Sequence, residues 1–133
     1  MSQENVEVVR TAWDHFVATG KPLDEVLAPD FVWDMSTFRG WPEQSCYEGV
    51  EGLRAFLRDW FEPFDDLEFE VEGHHDVGDG VVTVIRQHGH AKASGVPVEM
   101  RYGAVTFVRG GFLARAKVYA DPDEALKAAG LEE

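Results

Sequence analysis

At 133 residues the chain is long enough to bury a core in one domain without disulfides or metals. Its 25 acidic against 12 basic residues give a formal charge of −13, which repels phosphate backbones and argues against nucleic-acid binding. The single Cys46 excludes an internal disulfide and fits a reducing compartment, no apolar run is long enough to cross a bilayer, and the polar start MSQENVEVVR lacks a signal-peptide pattern; a cytoplasmic protein with no membrane partner is expected.

Val6, Val9, Trp13 and Phe16 recur at helical spacing, with Val17 widening the stripe, Ser2 placed as N-cap and Gly20 as the stop. Pro22 suits the first turn of a short second helix reaching about Leu27. Ala28-Pro29-Asp30 then turns the chain into a strand over Phe31–Met35, rich in aromatic and branched residues. Ser36 to Gly49 is the longest irregular stretch, and a loop of that length in a compact domain tends to be functional. A third helix is marked by Val50, Leu53, Phe56, Leu57, Trp60 and Phe61 and ended by Pro63.

Strands follow. Leu67, Phe69 and Val71 alternate with Glu68, Glu70 and Glu72, the pattern of a sheet with one wet face. Gly78-Asp79-Gly80 leads into Val81–Lys92, Ser94-Gly95 into Val98–Arg109, and the hairpin signal Gly110-Gly111 into Phe112–Ala120. Asp121-Pro122-Asp123 opens a last helix, Glu124–Ala129, stopped by Gly130. The order is α-α-β-α-β-β-β-β-α, read as one domain over 1–133. It is an α+β class chain in which a curved antiparallel sheet wraps helices into a cone.

A cone lined with tryptophan and phenylalanine suits a small apolar ligand. Trp13, Phe16, Phe56 and Trp60 sit at helical spacing, where core packing and pocket wall are both open readings. On the penultimate strand Val98, Met100, Tyr102, Ala104, Thr106 and Val108 share the less charged face, so Tyr102 becomes a polar handle in the interior. Tyr47, ending the long loop, reads as a lid, a hydrogen-bond donor or a loop anchor. Asp34, among Val32, Trp33 and Met35, is the candidate general base or acid if it faces the cone, where desolvation would disfavour its charge. Arg86, His88 and His90 share one face as a solvated or dimer-facing strip, answered by Glu99, and no third ligand makes the histidines a metal site. His15, His74 and His75 read as surface or turn residues, and Cys46 as inert.

The segments ENVEVVRTAWDHFVATGK into LAPDFVWD, YEGVEGLRAFLRDWFEPFDDLEFE, and VTFVRGGFLARAKVYADPDEALKAAGL cover nearly the whole chain. In that order they resemble the SnoaL-like branch of the nuclear transport factor 2-like superfamily, which includes ketosteroid isomerases and polyketide cyclases. The resemblance implies a cone-shaped α+β fold, a pocket between helices and sheet, and a homodimer through the sheet's outer face. It places Trp13 where the isomerases have an oxyanion-holding tyrosine, Met35 at the base position with Asp34 one residue earlier, and Ala104 or Gly103 where they carry a protonated aspartate. Arg101 with Gly103 supplies only half of the arginine–aspartate pair of limonene epoxide hydrolases. The isomerase mechanism therefore does not carry over. The expectation is a protein binding a planar or polycyclic apolar molecule beside Trp13, Phe16, Met35, Tyr47, Phe56, Trp60 and Tyr102. Any catalysis would be cofactor-free proton transfer through Asp34; the alternative is a non-catalytic carrier or dimeric scaffold.

Overall fold

A computed structural model describes residues 2–78 and 80–130, apart from the side chain of Ser2; the Ser2 cap and the turn residue Asp79 lie outside the described residues. Helix α1 (Ser2–Thr19) buries Val9 completely and lays Val6, Ala12, Trp13 and Phe16 on the core. Val17 does not widen that stripe: it is 40% exposed. Gly20, at φ +75°, closes the helix by donating its N–H to the Phe16 carbonyl at 2.7 Å.

The second helix is reduced to a 3-10 turn, Asp24–Val26. Strand β1 (Leu27–Asp34) begins where that helix was expected to end, because Leu27 and Ala28 are buried and Leu27 pairs with Leu113. Long-range pairing overrides the local helix signal. The supposed turn Ala28-Pro29-Asp30 lies inside β1 at a register shift between Leu27 and Val32, where a proline's missing N–H is tolerated. A short edge strand, β2 (Cys46–Glu48), emerges from the stretch read as irregular and pairs antiparallel with β1.

Helix α2 (Gly49–Phe61) then buries Leu53, Phe56 and Trp60. Strands β3 (Phe64–Asp76), β4 (Gly80–Ala91), β5 (Pro97–Arg109) and β6 (Phe112–Tyr119) follow the expected hairpins, and α3 (Pro122–Ala128) is capped by Asp121, which accepts from the Asp123 N–H at 2.9 Å. β3 starts earlier than read because Phe64 and Asp65 pair with Ala91 and His90.

The six strands run β2-β1-β6-β5-β4-β3, all antiparallel neighbours except the parallel β1–β6 pair, so the sheet is mixed. Register shifts in β3 at Asp65/Glu68 and Val71/Gly73 and in β5 at Phe107/Val108 bend it. Asp66 in the first of these adopts φ +57°, which aspartate tolerates. Helices α1 and α2 cover the concave face. On that face β5 presents Tyr102, Ala104 and Thr106, with Met100 and Val108 packed on the core.

The convex face is divided. Helix α3 packs Ala125 and Leu126 with Val82, Val105 and Phe107, and a Cβ on Gly103 would sit 2.7 Å from that of Ala125. The rest of that face is ionic: Arg86 contacts Glu99 at 2.9 Å and Glu70 and Glu72 at 3.4 Å, and Arg101 holds Glu72 at 2.7 Å. His88 and His90 lie there too, near Glu68 and Asp66. Among the described residues no helix is long and apolar enough to cross a membrane.

Candidate functional site

Between the helices and the concave face the side chains leave a hollow of about 70 Å³. Its wall comes from α1 (Ala12, Trp13, Phe16), the following turn (Pro22, Leu23), β1 (Leu27, Phe31, Trp33), α2 (Leu53, Leu57), Thr106 of β5, and Leu113 and Ala116 of β6. A second hollow, about 30 Å³, is bounded by Met35, Phe56, Trp60, Phe69, Tyr102 and Val118. Trp13, Phe16, Trp33 and Leu57 belong to both walls and form the partition. A cavity near 150 Å³ holds one benzene. Neither hollow admits the planar or polycyclic ligand expected from the sequence.

The missing volume is filled by aromatic rings from the long loop. Phe38 stands edge-on to Trp60 at 5.6 Å, and Trp41 packs on Phe56 and Trp60 at 5.4 and 5.5 Å. The loop is tied down by Thr37, which donates to the Val118 carbonyl at 2.9 Å, by an Arg39–Glu124 ion pair, and by the Trp41 indole on the Gln44 carbonyl at 2.9 Å.

The polar centre of the interior is Gln87, 1% exposed. Its Oε1 accepts from the Trp60 indole at 2.9 Å and from the Tyr102 hydroxyl at 2.7 Å. Because an indole N–H only donates, the amide orientation is fixed with oxygen toward Trp60. Gln87 Nε2 and Trp33 Nε1 are buried donors with no partner among the described residues. Tyr102 is thus committed to Gln87, and burial pushes its phenol far above the ordinary value of 10.0, so it stays neutral.

Asp34 is buried, yet not in either wall. Beyond the β1 bulge the register is regular: Val32 faces Arg115, Trp33 faces Ala116 and Asp34 faces Lys117. Strand parity sends Trp33 and Met35 into the cone and Asp34 to the convex side. There it is ion-paired with Arg115 and accepts the Ser36 N–H at 2.8 Å. Burial opposes its ionisation, but the Ser36 hydrogen bonds and the Arg115 charge outweigh this and hold the carboxyl below 3.8. Such a group is a poor base.

Residues 6–116 match the SnoaL-like domain family. The chain belongs to that family. No curated protein matches it. Among solved structures the SnoaL-like chain is similar to a protein described as a SnoaL-like polyketide cyclase from Jannaschia sp. CCS1, at 25% identity over 99% of this chain and 94% of that one, with a TM-score of 0.71. It is also similar in fold to a hypothetical protein with a ketosteroid isomerase-like fold from Catenulispora acidiphila DSM 44928 in complex with trimethylamine, at 19% identity, coverage of 94% and 93%, and TM-score 0.69. A third is TerC co-crystallised with polyporic acid, at 15% identity, coverage of 95% and 98%, and TM-score 0.73.

Of the other residues read from the SnoaL-like sequence, Trp13 and Phe16 border both hollows, and Met35, Phe56, Trp60 and Tyr102 border the smaller one. Tyr47 borders neither. It is 1% exposed and donates to Asp59 at 3.0 Å, tying β2 to α2, and burial with that hydrogen bond pushes its phenol up to about 12. His74 is a half-buried strand residue rather than a turn residue, with Nδ1 2.9 Å from the Thr83 hydroxyl. Desolvation and the charge of nearby Asp34 push the Cys46 thiol up. Sequence reasoning put Thr106 on the inner face without naming it as a wall residue, and missed Trp33 and Phe31 in the wall and Phe38 and Trp41 as plugs. Alternation on β1 and β5 contained the signal for the wall; nothing periodic marks a loop residue.

Proposed function

We propose that this SnoaL-like chain binds a slender hydrophobic molecule in the larger hollow, against Trp13, Phe16, Trp33 and Leu57. The carrying observation is the chemistry of the wall: among the described residues its only polar side-chain groups are the Thr106 hydroxyl and the indole N–H of Trp13 and Trp33. An uncharged wall recognises its ligand by transfer from water, about 0.8 kcal/mol per buried CH₂. Two structural neighbours named with small molecules, trimethylamine and polyporic acid, support only the coarser reading that this fold receives a small ligand.

Within this proposal the chain is a binder rather than an acid–base enzyme working through Asp34, because that carboxylate is locked to Arg115 on the convex side. A homodimer would use the convex strip of Arg86, His88, His90 and Glu99 that α3 leaves uncovered, and light scattering tests it directly. For the ligand, titrating tryptophan fluorescence with linear alkanols should give saturable changes, lost in Ala12→Leu, which fills the hollow. A response that Ala12→Leu leaves intact would put binding elsewhere and end the proposal.

A further inference from the structure

We infer that the molecule taken by the hollow is an organic acid, its apolar end inside and its carboxylate held at a basic cleft between α1 and α2; this rests on the binding reading above. A surface cleft of about 610 Å³ is lined by His15, Gly20, Lys21, Pro22, Arg54, Leu57, Arg58 and Phe61. Pro22 and Leu57 also wall the hollow, so cleft and hollow adjoin. Among the described residues no carboxylate lines the cleft, although acidic residues outnumber basic ones about two to one in the chain. Arg54 is engaged by Asp24 and by Glu51 at 3.2 Å. Arg58 and Lys21 are exposed and make no ion pair among the described residues.

Helix geometry explains part of this. Arg58 is in the last turn of α2 and Lys21 just follows α1, where carbonyl dipoles favour cations. Dipoles do not explain why two cations without an ion pair among the described residues line a cleft that shares Pro22 and Leu57 with an uncharged wall. An anion there would gain charge-assisted hydrogen bonds to a guanidinium and an ammonium while its chain displaces no polar contact. By the measure that puts one six-carbon ring in about 150 Å³, the hollow takes only about the last three carbons of an eight-carbon chain, and the remainder lies in the cleft along Leu57 and Phe61.

The matched probes are octanoate and 1-octanol, titrated against the full chain by tryptophan fluorescence and calorimetry. The wild type should bind octanoate more tightly than the alcohol, with the advantage shrinking as salt rises. The Lys21→Gln/Arg58→Gln variant should lose roughly tenfold for octanoate and stay within about twofold for 1-octanol. Equal binding of the two probes in wild type and variant would overturn the acid assignment and leave the hydrophobic hollow standing. Binding of neither probe would overturn both. Octanoate binding that falls with the charge variant but ignores Ala12→Leu would show an ion resting on the surface only, and would overturn the continuity of cleft and hollow. The retained response to 1-octanol serves as the folding control.

Discussion

Replacing Gln87 with Leu tests whether the interior is organised by its one amide. The Oε1 atom accepts from both Trp60 and Tyr102, at 2.9 and 2.7 Å, and the three residues are 1%, 6% and 5% exposed. Leucine leaves two buried donors without an acceptor, each costing about 1–3 kcal/mol. Against this, the Gln87 Nε2 donor is itself partnerless among the described residues, so its removal returns one such penalty. The net expectation is a loss of about 1–3 kcal/mol. Urea unfolding followed by circular dichroism should show a lower midpoint with an unchanged slope. The decisive arm is a cycle: in a Trp60→Phe/Tyr102→Phe background both donors are gone, and Gln87→Leu should become neutral or stabilising. An undiminished loss in that background would mean that leucine's shape is at fault, and the hydrogen-bond account would fail.

Asp34→Asn should cost about 1–3 kcal/mol at neutral pH, less than a fully buried pair because the Arg115 side chain is 44% exposed. Since the folded carboxyl lies below its ordinary 3.8, its contribution is complete above that value and is lost as pH falls below it, so wild type and variant should converge in melts carried into acid. A constant gap down to the acid limit would refute the ion pair as the source. Gly103→Ala should push α3 off the sheet and destabilise by about 1–3 kcal/mol, with Ala125→Gly restoring most of the loss; failure of that rescue would show that the Ala125 contact is not limiting. Trp41→Ala removes a ring 5.4 Å from Phe56 and 5.5 Å from Trp60 and should admit one-ring aromatics that the wild type rejects, read by calorimetry. Equal rejection by both would assign the exclusion to Trp33 instead.

The helical stripe Val9–Trp13–Phe16, the α2 face and the hairpins from β3 to β6 were legible because each repeats a period over many residues and ends at a glycine or proline. What escaped was decided by distant partners. Leu27 and Ala28 join a strand because β6 is there to receive them, and Tyr47 makes a three-residue strand only against Trp33. The convex position of α3 depends on Gly103, whose missing side chain carries no pattern at all. The size of the hollows was beyond reading, since Phe38 and Trp41 pack on Phe56 and Trp60, which wall the smaller one, from a stretch with no periodicity.

Asp34 shows how one residue of parity redirects the functional argument. A bulge could have turned it inward, and β1 does contain one, but upstream of Val32, so the pairs through Asp34 alternate regularly. The residue that enters the cone is Trp33, which trades a prospective base for an apolar partition with a partnerless N–H. With Asp34 neutralised against Arg115 outside, no charged side chain among the described residues lines the inner wall, and Leu57 of that wall also borders the cleft of Lys21, Arg54 and Arg58. A ligand that is greasy at one end and anionic at the other matches that division of the surface. Uniformly apolar molecules would leave Arg58 and Lys21 unused, and uniformly charged ones would be repelled by the hollow.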